Sequence, residues 1–289
     1  MLWSSSRTLS PVGTDRRAGR ACVRSERLGL LRSFSVKIDL SESFSRLLKP
    51  PIAEAILDLR CGVGVEWHQE RLKADWQAQL PDYPRVEPQR AFATHWRWEA
   101  GQRPEQQVAD LDWTGLLFRS PDRPQVVQFQ RNGFVFSRLA PYSGWDAFQT
   151  EALRLWRIYA EQTSPTAIQR IGLRFINRIA CPCTGFHLED YLHDSPVPVP
   201  SLALRRDAFL HQDTLGIPES DYSVNLVRTL QTAQATLDRI PLLLDLDVFT
   251  RAPVEPREEN LCSRLGEMRW LKNKPFFGMI TPKTMELFQ

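Results

Sequence analysis

Apolar and polar residues alternate along Ile56–Val65, with Leu57, Leu59, Cys61, Val63 and Val65 on one side and Asp58 and Arg60 on the other. This period of two marks a half-buried strand. Trp67–Leu80 changes to a helical period, with Trp67, Leu72, Trp76 and Leu80 near one face, and Pro81, Pro84 and Pro88 end it. Four strand-like runs follow, at about 91–99, 107–119, 124–131 and 133–139. Arg131-Asn132-Gly133 joins the last two as a hairpin, because Asn-Gly supplies the positive φ angles of a tight turn. The spacing then predicts a helix over about 145–162. Ser143 and Asp146 stand at capping-box distance, and Phe148, Ala152, Leu155 and Tyr159 form its buried stripe.

The pattern then starts again. Ala167–Ile179 alternates as a long strand, with Ile171, Leu173, Phe175 and Ile179 on one face and Arg170, Arg174 and Arg178 on the other. A short helix near 187–192 follows, then strands near 206–216, 222–232 and 241–250. Pro256 opens a helix with Glu258 and Glu259 in its positive first turn and a stripe at Leu261, Leu265 and Met268. Thr281-Pro282 starts a last short helix, with Met285 and Phe288 as apolar anchors. Pro51–Arg60 echoes Pro165–Arg174, with proline, alanine, leucine and arginine at the same offsets. Hairpins, with helices falling after groups of strands, predict an α+β fold. The expected form is two similar βα(β)nα halves, 36–163 and 164–289. They would make one compact unit that shares a curved, mainly antiparallel sheet with helices packed on one side.

Charge separates the first 35 residues from the rest. They hold seven arginines (7, 16, 17, 20, 24, 27 and 32) against Asp15 and Glu26, a net +5, while the whole chain is +3. Residues 36–289 therefore carry 3 − 5 = −2, which argues against a broad nucleic-acid-binding surface there. Three readings fit the basic segment: a transit peptide, a disordered arm for a polyanion, or sequence upstream of the native start. We favour the last. The five cysteines (22, 61, 181, 183 and 262) follow no disulfide spacing, and Cys61 and Cys262 sit among apolar residues. No apolar run approaches the roughly 18–20 residues of a membrane helix. A soluble, cytoplasmic protein is expected.

Several segments carry a resemblance. Pro50-Pro51-Ile-Ala-Glu54-Ala-Ile-Leu opens the first strand, and Val127–Leu139 forms the middle run. Tyr142-Ser-Gly-Trp145 precedes the long helix, Ile171–Ile179 forms the second long strand, and Leu271–Thr281 lies near the end. In this order, over about 48–289, they resemble a sporadically distributed prokaryotic family of about 250 residues with no established activity. The resemblance implies a shared fold and leaves residues 1–35 outside it. It implies no catalytic or cofactor residues.

Candidate chemistry therefore comes from the residues alone. Asp245 and Asp247, two apart in an apolar strand, project both carboxylates from one face. With Arg60, Arg170, Arg174 and Arg178 they form a candidate polar ligand face, or, in a second reading, a divalent-ion site. The plainer reading pairs the two aspartates across strands to Arg170 or Arg174. Asp110-Leu111-Asp112 copies the pattern elsewhere, which favours a structural habit. Cys181, Cys183, His187 and His193 form a weak metal candidate, because C-x-C departs from the usual zinc spacing. No nucleophile elbow, phosphate loop, dinucleotide fingerprint or H-E-x-x-H occurs. These observations favour a non-enzymatic binding or assembly module that holds an unknown protein or small polar ligand on its sheet face or edge, without a cofactor. A metal-dependent hydrolase or nuclease using Asp245 and Asp247, and nucleic-acid binding through the basic segment, are the alternatives. Self-association stays open.

Overall fold

The long alternating runs form strands of a single sheet. The computed structural model describes residues 36–97, 105–121, 124–193, 207–231, 235–236 and 238–289, with the backbone alone described for 92–97 and 105–112. The basic segment, Cys22, and the side chains of His95, Asp110 and Asp112 lie outside the described residues. In chain order the elements are β1 (Ile52–Cys61), α1 (Gln69–Gln79), β2 (Arg85–Arg97), β3 (Glu105–Arg119), β4 (Gln125–Gln130), β5 (Gly133–Leu139) and α2 (Trp145–Thr163). Then come β6 (Ile168–Pro182), a 3-10 turn at Leu188–Asp190, β7 (Phe209–Gly216), β8 (Tyr222–Leu230), β9 (Arg239–Thr250), α3 (Glu258–Met279) and α4 (Pro282–Glu286). The sheet runs in the order β2-β3-β4-β5-β1-β6-β9-β8-β7, and every pairing is antiparallel. The protein is α+β, and Val36–Gln289 forms one compact unit.

The connections explain this order. β1 leads through α1 to the far edge, and a meander returns until β5 pairs with β1. β6 leads through the 3-10 turn to the opposite edge, and a second meander returns until β9 pairs with β6. β1 and β6 then join the two meanders side by side, so the two stretches share their central hydrogen bonds.

Register decides which residues meet the helices. Leu57 pairs with Phe136 and Leu173, Leu173 with Val248, and Phe175 with Leu246, so these side chains share one face. They are buried with Trp76 of α1, Phe148 and Trp156 of α2, and Leu261 and Leu265 of α3. Fully burying each such aliphatic or aromatic side chain contributes about 1.5–3 kcal/mol. The alternate residues of β1, β6 and β9 form the opposite face, and they include the arginines and aspartates.

Several boundaries differ from the sequence reading. β1 begins four residues before Ile56 and ends at Cys61. Trp67 lies before α1, where it packs on Trp76 and Trp113 with ring centroids 5.5 and 5.3 Å away. β2 begins at Arg85 and includes Pro88, which is tolerated because this is an edge strand and one missing donor costs the sheet nothing there. The Ser143–Asp146 capping box does not form: α2 starts at Trp145 with Gly144 as N-cap at φ 110°, and no side chain caps it. The hairpin expected here closes, with Gln130 paired to Gly133, but of Asn132 and Gly133 only Gly133 has a positive φ. Gly133 has φ 152°, and a Cβ there would lie 2.2 Å from the Leu59 carbonyl oxygen. α3 continues past its expected stripe and through Pro275 to Met279.

Candidate functional site

The helix-free face carries a connected set of charges centred on β1, β6 and β9. Arg174 donates to Asp245 with two guanidinium nitrogens, Nε at 2.8 Å from Oδ1 and Nη2 to Oδ2. Arg170 donates to Asp247 at 2.8 Å and to Asp58 at 3.4 Å. Arg60 approaches Asp58 at 2.9 Å, and Asn225 donates to Asp247 at 3.2 Å. The link from Arg174 to Asp245 is diagonal, because directly across the strands Arg174 faces Asp247 and Asp245 faces Ile176. The chain alternates acids and arginines on strands held side by side, so each carboxylate meets a guanidinium without a loop to position it.

Gly172 makes one of these contacts available. A Cβ there would lie 2.4 Å from Arg170 Nη1, so the guanidinium occupies the space a side chain would take. It also stacks on Phe249, 4.8 Å from the ring centroid. Burial pushes the Asp58 carboxyl up from its ordinary pKa, opposed chiefly by the nearby charges of Arg60 and Arg170. The bond to Asp245 holds Arg174 above its usual value. The structure thus brings together Arg60, Arg170, Arg174, Asp245 and Asp247, and adds Asp58 and Asn225. Arg178 lies on the same face, exposed, four residues beyond Arg174.

The cysteine and histidine candidates do not converge. Cys181 is buried in the second core, and burial pushes its thiol up to about 12. The Cys183 thiol donates to the Thr236 carbonyl at 3.6 Å. His187 precedes the 3-10 turn and is exposed, as is His193. Among the described residues no group of three or more His, Cys, Asp or Glu side chains is placed to hold a metal ion. The physical reason is alternation: Cys181 points into the core, while the histidines leave the strand on a surface loop.

A second site lies on the helix side and was not anticipated. A groove of about 940 Å³ runs between the segment Leu40–Ile52, the start of α2 and the second half of α3. Its lining includes Pro50, Pro51, Tyr142, Trp145, Asn177, Lys272, Asn273 and Phe276. Four segments far apart in the sequence therefore meet here. The Leu40–Ile52 segment is fastened to α3: Glu42 accepts from Lys274 Nζ at 2.6 Å and from Trp270 Nε1 at 2.8 Å, and Phe44 stacks on Phe277 at 5.4 Å. Lys272 donates to Asn273 Oδ1 at 2.7 Å, and its ammonium lies 3.9 Å from the centre of the Phe175 ring. Burial, reinforced by Arg269, pushes its pKa down to about 7. A signal for it exists in the sequence: the stripe Leu261, Leu265, Met268 reaches Lys272 one turn later.

The fold and its charged face define an α+β protein built on a nine-stranded antiparallel sheet. No protein-family model, curated protein or solved structure matches the chain. Among the described residues no helix is long and apolar enough to cross a membrane.

Proposed function

We propose that the chain is a non-enzymatic binding module that engages a protein partner through the helix-free face of its sheet. The arginine–aspartate network on that face carries the reading. Its side chains are already held by one another, so docking orders few of them and the entropy cost of association is small. Ile56, Val135, Ile176, Val227 and Phe249 lie between the charges and are partly exposed. Arginine mixed with apolar and aromatic surface is the usual composition of a docking patch. Asp58, Asp245 and Asp247 are each engaged by arginine, so none of these three carboxylates is free to act as a base. A divalent ion at Asp245 and Asp247 would have to displace Arg174 and Arg170, so the hydrolase reading has less support. The nucleic-acid reading rests on residues outside those described.

The same reading treats 36–163 and 164–289 as duplicated halves. The sequence echo equates Asp58 with Gly172, and these two residues pair with each other where β1 meets β6. A cytoplasmic setting fits Cys61, Cys181, Cys183 and Cys262, which are all free thiols. The test is native mass spectrometry of the full chain from its own host, compared with Arg174→Glu and Val135→Arg. A protein companion, or a second copy, retained by wild type and lost by both variants is expected. A companion that survives both substitutions contradicts the reading, as does a bare wild-type chain.

A further inference from the structure

The groove beside α3 has the opposite electrostatic character from the sheet face. Lys272 and Arg269 both line it, and among the described residues neither forms an ion pair. Arg269 lies over the Trp145 ring at 5.3 Å. The other charged or titratable groups around it are Asp146 at the exposed start of α2, Tyr142 before it, and Glu42 and Arg46 on the fastened segment. Glu42 is committed to Lys274 and Trp270. Three cations, Arg46, Arg269 and Lys272, thus line a cavity whose one uncommitted carboxylate among the described residues, Asp146, sits at the exposed start of α2.

We propose that this groove is a binding site for a small organic anion, with a carboxylate or phosphate group against Lys272 and Arg269 and a flat apolar body between the aromatic walls. Three observations support it. The volume, about 940 Å³, is at the upper end of what a small ligand fills. The walls are Trp145, Trp270, Phe276 and Phe277, and such rings accept a planar apolar body face-on or edge-on. The lysine is held by a neutral amide and a phenyl face, and neither of these repays the desolvation of an ammonium as a carboxylate would. An arriving anion supplies that missing countercharge in a low-dielectric setting, where an ion pair is stronger than in water. The uncapped first turn of α2 at the same wall adds positive potential of the same sign.

Binding at this place is coupled to a proton. The lowered pKa of Lys272 leaves the free amine largely neutral above about pH 7. An anion beside it favours the ammonium, so complex formation takes up a proton from solvent. Lys272 and the docking face lie on opposite sides of β6: Phe175 points under Lys272, and its neighbour Arg174 points to Asp245. Either proposal can therefore fail without the other.

The experiment is calorimetric titration of the full chain with benzoate and with phenyl phosphate at about pH 8, in buffers of different ionisation heat. Tryptophan fluorescence, reporting on Trp145 and Trp270, is followed in parallel. Saturable binding at one site is expected, with close to one proton taken up per benzoate. Lys272→Met should weaken it by at least about tenfold, the scale of one lost charge-assisted contact, while Lys283→Met on the far end of the helix side leaves it unchanged. The preferred anion identifies the ligand as a carboxylate or a phosphate. Absence of saturable binding by both anions, wild-type affinity in folded Lys272→Met, or binding without proton uptake would each overturn the proposal. If Lys272→Met does not fold, proton uptake by the wild type decides alone.

Discussion

Arg174 and Phe175 are neighbours on one strand, yet they lead to two regions that treat charge differently. Arg174 points to the helix-free face, where three aspartates and three arginines answer one another. Phe175 points to the helix side, where Lys272 ends above its ring with an amide as its one polar partner among the described residues. In the first region each of the three aspartates meets an arginine, which suits a fixed surface that docks as a unit. The second holds a partly buried lysine whose charge burial disfavours and which no carboxylate answers among the described residues. If the proposed anion site holds, a charge on an apolar stripe points to it better than the denser cluster of acids and arginines.

The comparison can be sharpened by substitution. The largest effect is expected from Lys272→Met. The folded pKa of Lys272, about 7, lies below its ordinary 10.5. Below about pH 7 both folded and unfolded chains carry the proton and the folded state bears the full desolvation penalty. Between about 7 and 10.5 only the unfolded chain stays protonated, so wild-type stability rises across that window. Lys272→Met should raise stability by on the order of 3 kcal/mol below pH 7, and the gain should vanish above pH 10.5. Urea unfolding across this range checks both sign and window. A stability gain together with lost anion binding would place Lys272 in a functional role at the expense of the fold.

Arg170→Ala should act in the opposite direction. It leaves Asp58 and Asp247, both mostly buried, with fewer partners, and should cost about 2 kcal/mol in the same assay. Gly172→Ala tests the same contact from beneath. The new Cβ meets only the far end of the Arg170 side chain, so the expected loss is about 1 kcal/mol, additive with Arg170→Ala only in part. Arg174→Lys should have the smallest effect, about 0.5 kcal/mol, because one bond of a two-pronged pair is given up and its arginine end is half-exposed. Equal losses from Arg170→Ala and Arg174→Lys would break the picture of a network centred on Arg170.

Much of the fold was legible because alternation and stripes are local. The strict period of β1, β6 and β9 assigned each face correctly, and it anticipated that Asp245 and Asp247 would meet Arg174 and Arg170. The Asn132-Gly133 turn was legible for the same reason. Pro88 misled because a proline ends a central strand but not an edge strand, and edge position is a property of the whole sheet. α3 passes through Pro275 because packing of Leu271, Phe276 and Met279 outweighs one lost backbone bond. The groove was illegible for a deeper reason. Leu40–Ile52, Tyr142–Ala147, Asn177 and Gly266–Phe277 are far apart in sequence, and only the pairing of β1 with β6 and the docking of α3 bring them together. Its one local trace was Lys272 on an otherwise apolar helical stripe.

That trace can be tested directly. The chain has six lysines, at positions 37, 49, 73, 272, 274 and 283, few enough for each carbon beside the amine to be resolved by NMR in the full chain. A pH titration of these signals measures whether the charge of Lys272 is unanswered. One lysine titrating near pH 7, and absent from the spectrum of Lys272→Met, is the predicted result. Six lysines all titrating near their ordinary 10.5 would show that its charge is answered after all, and would contradict the contrast between the two faces.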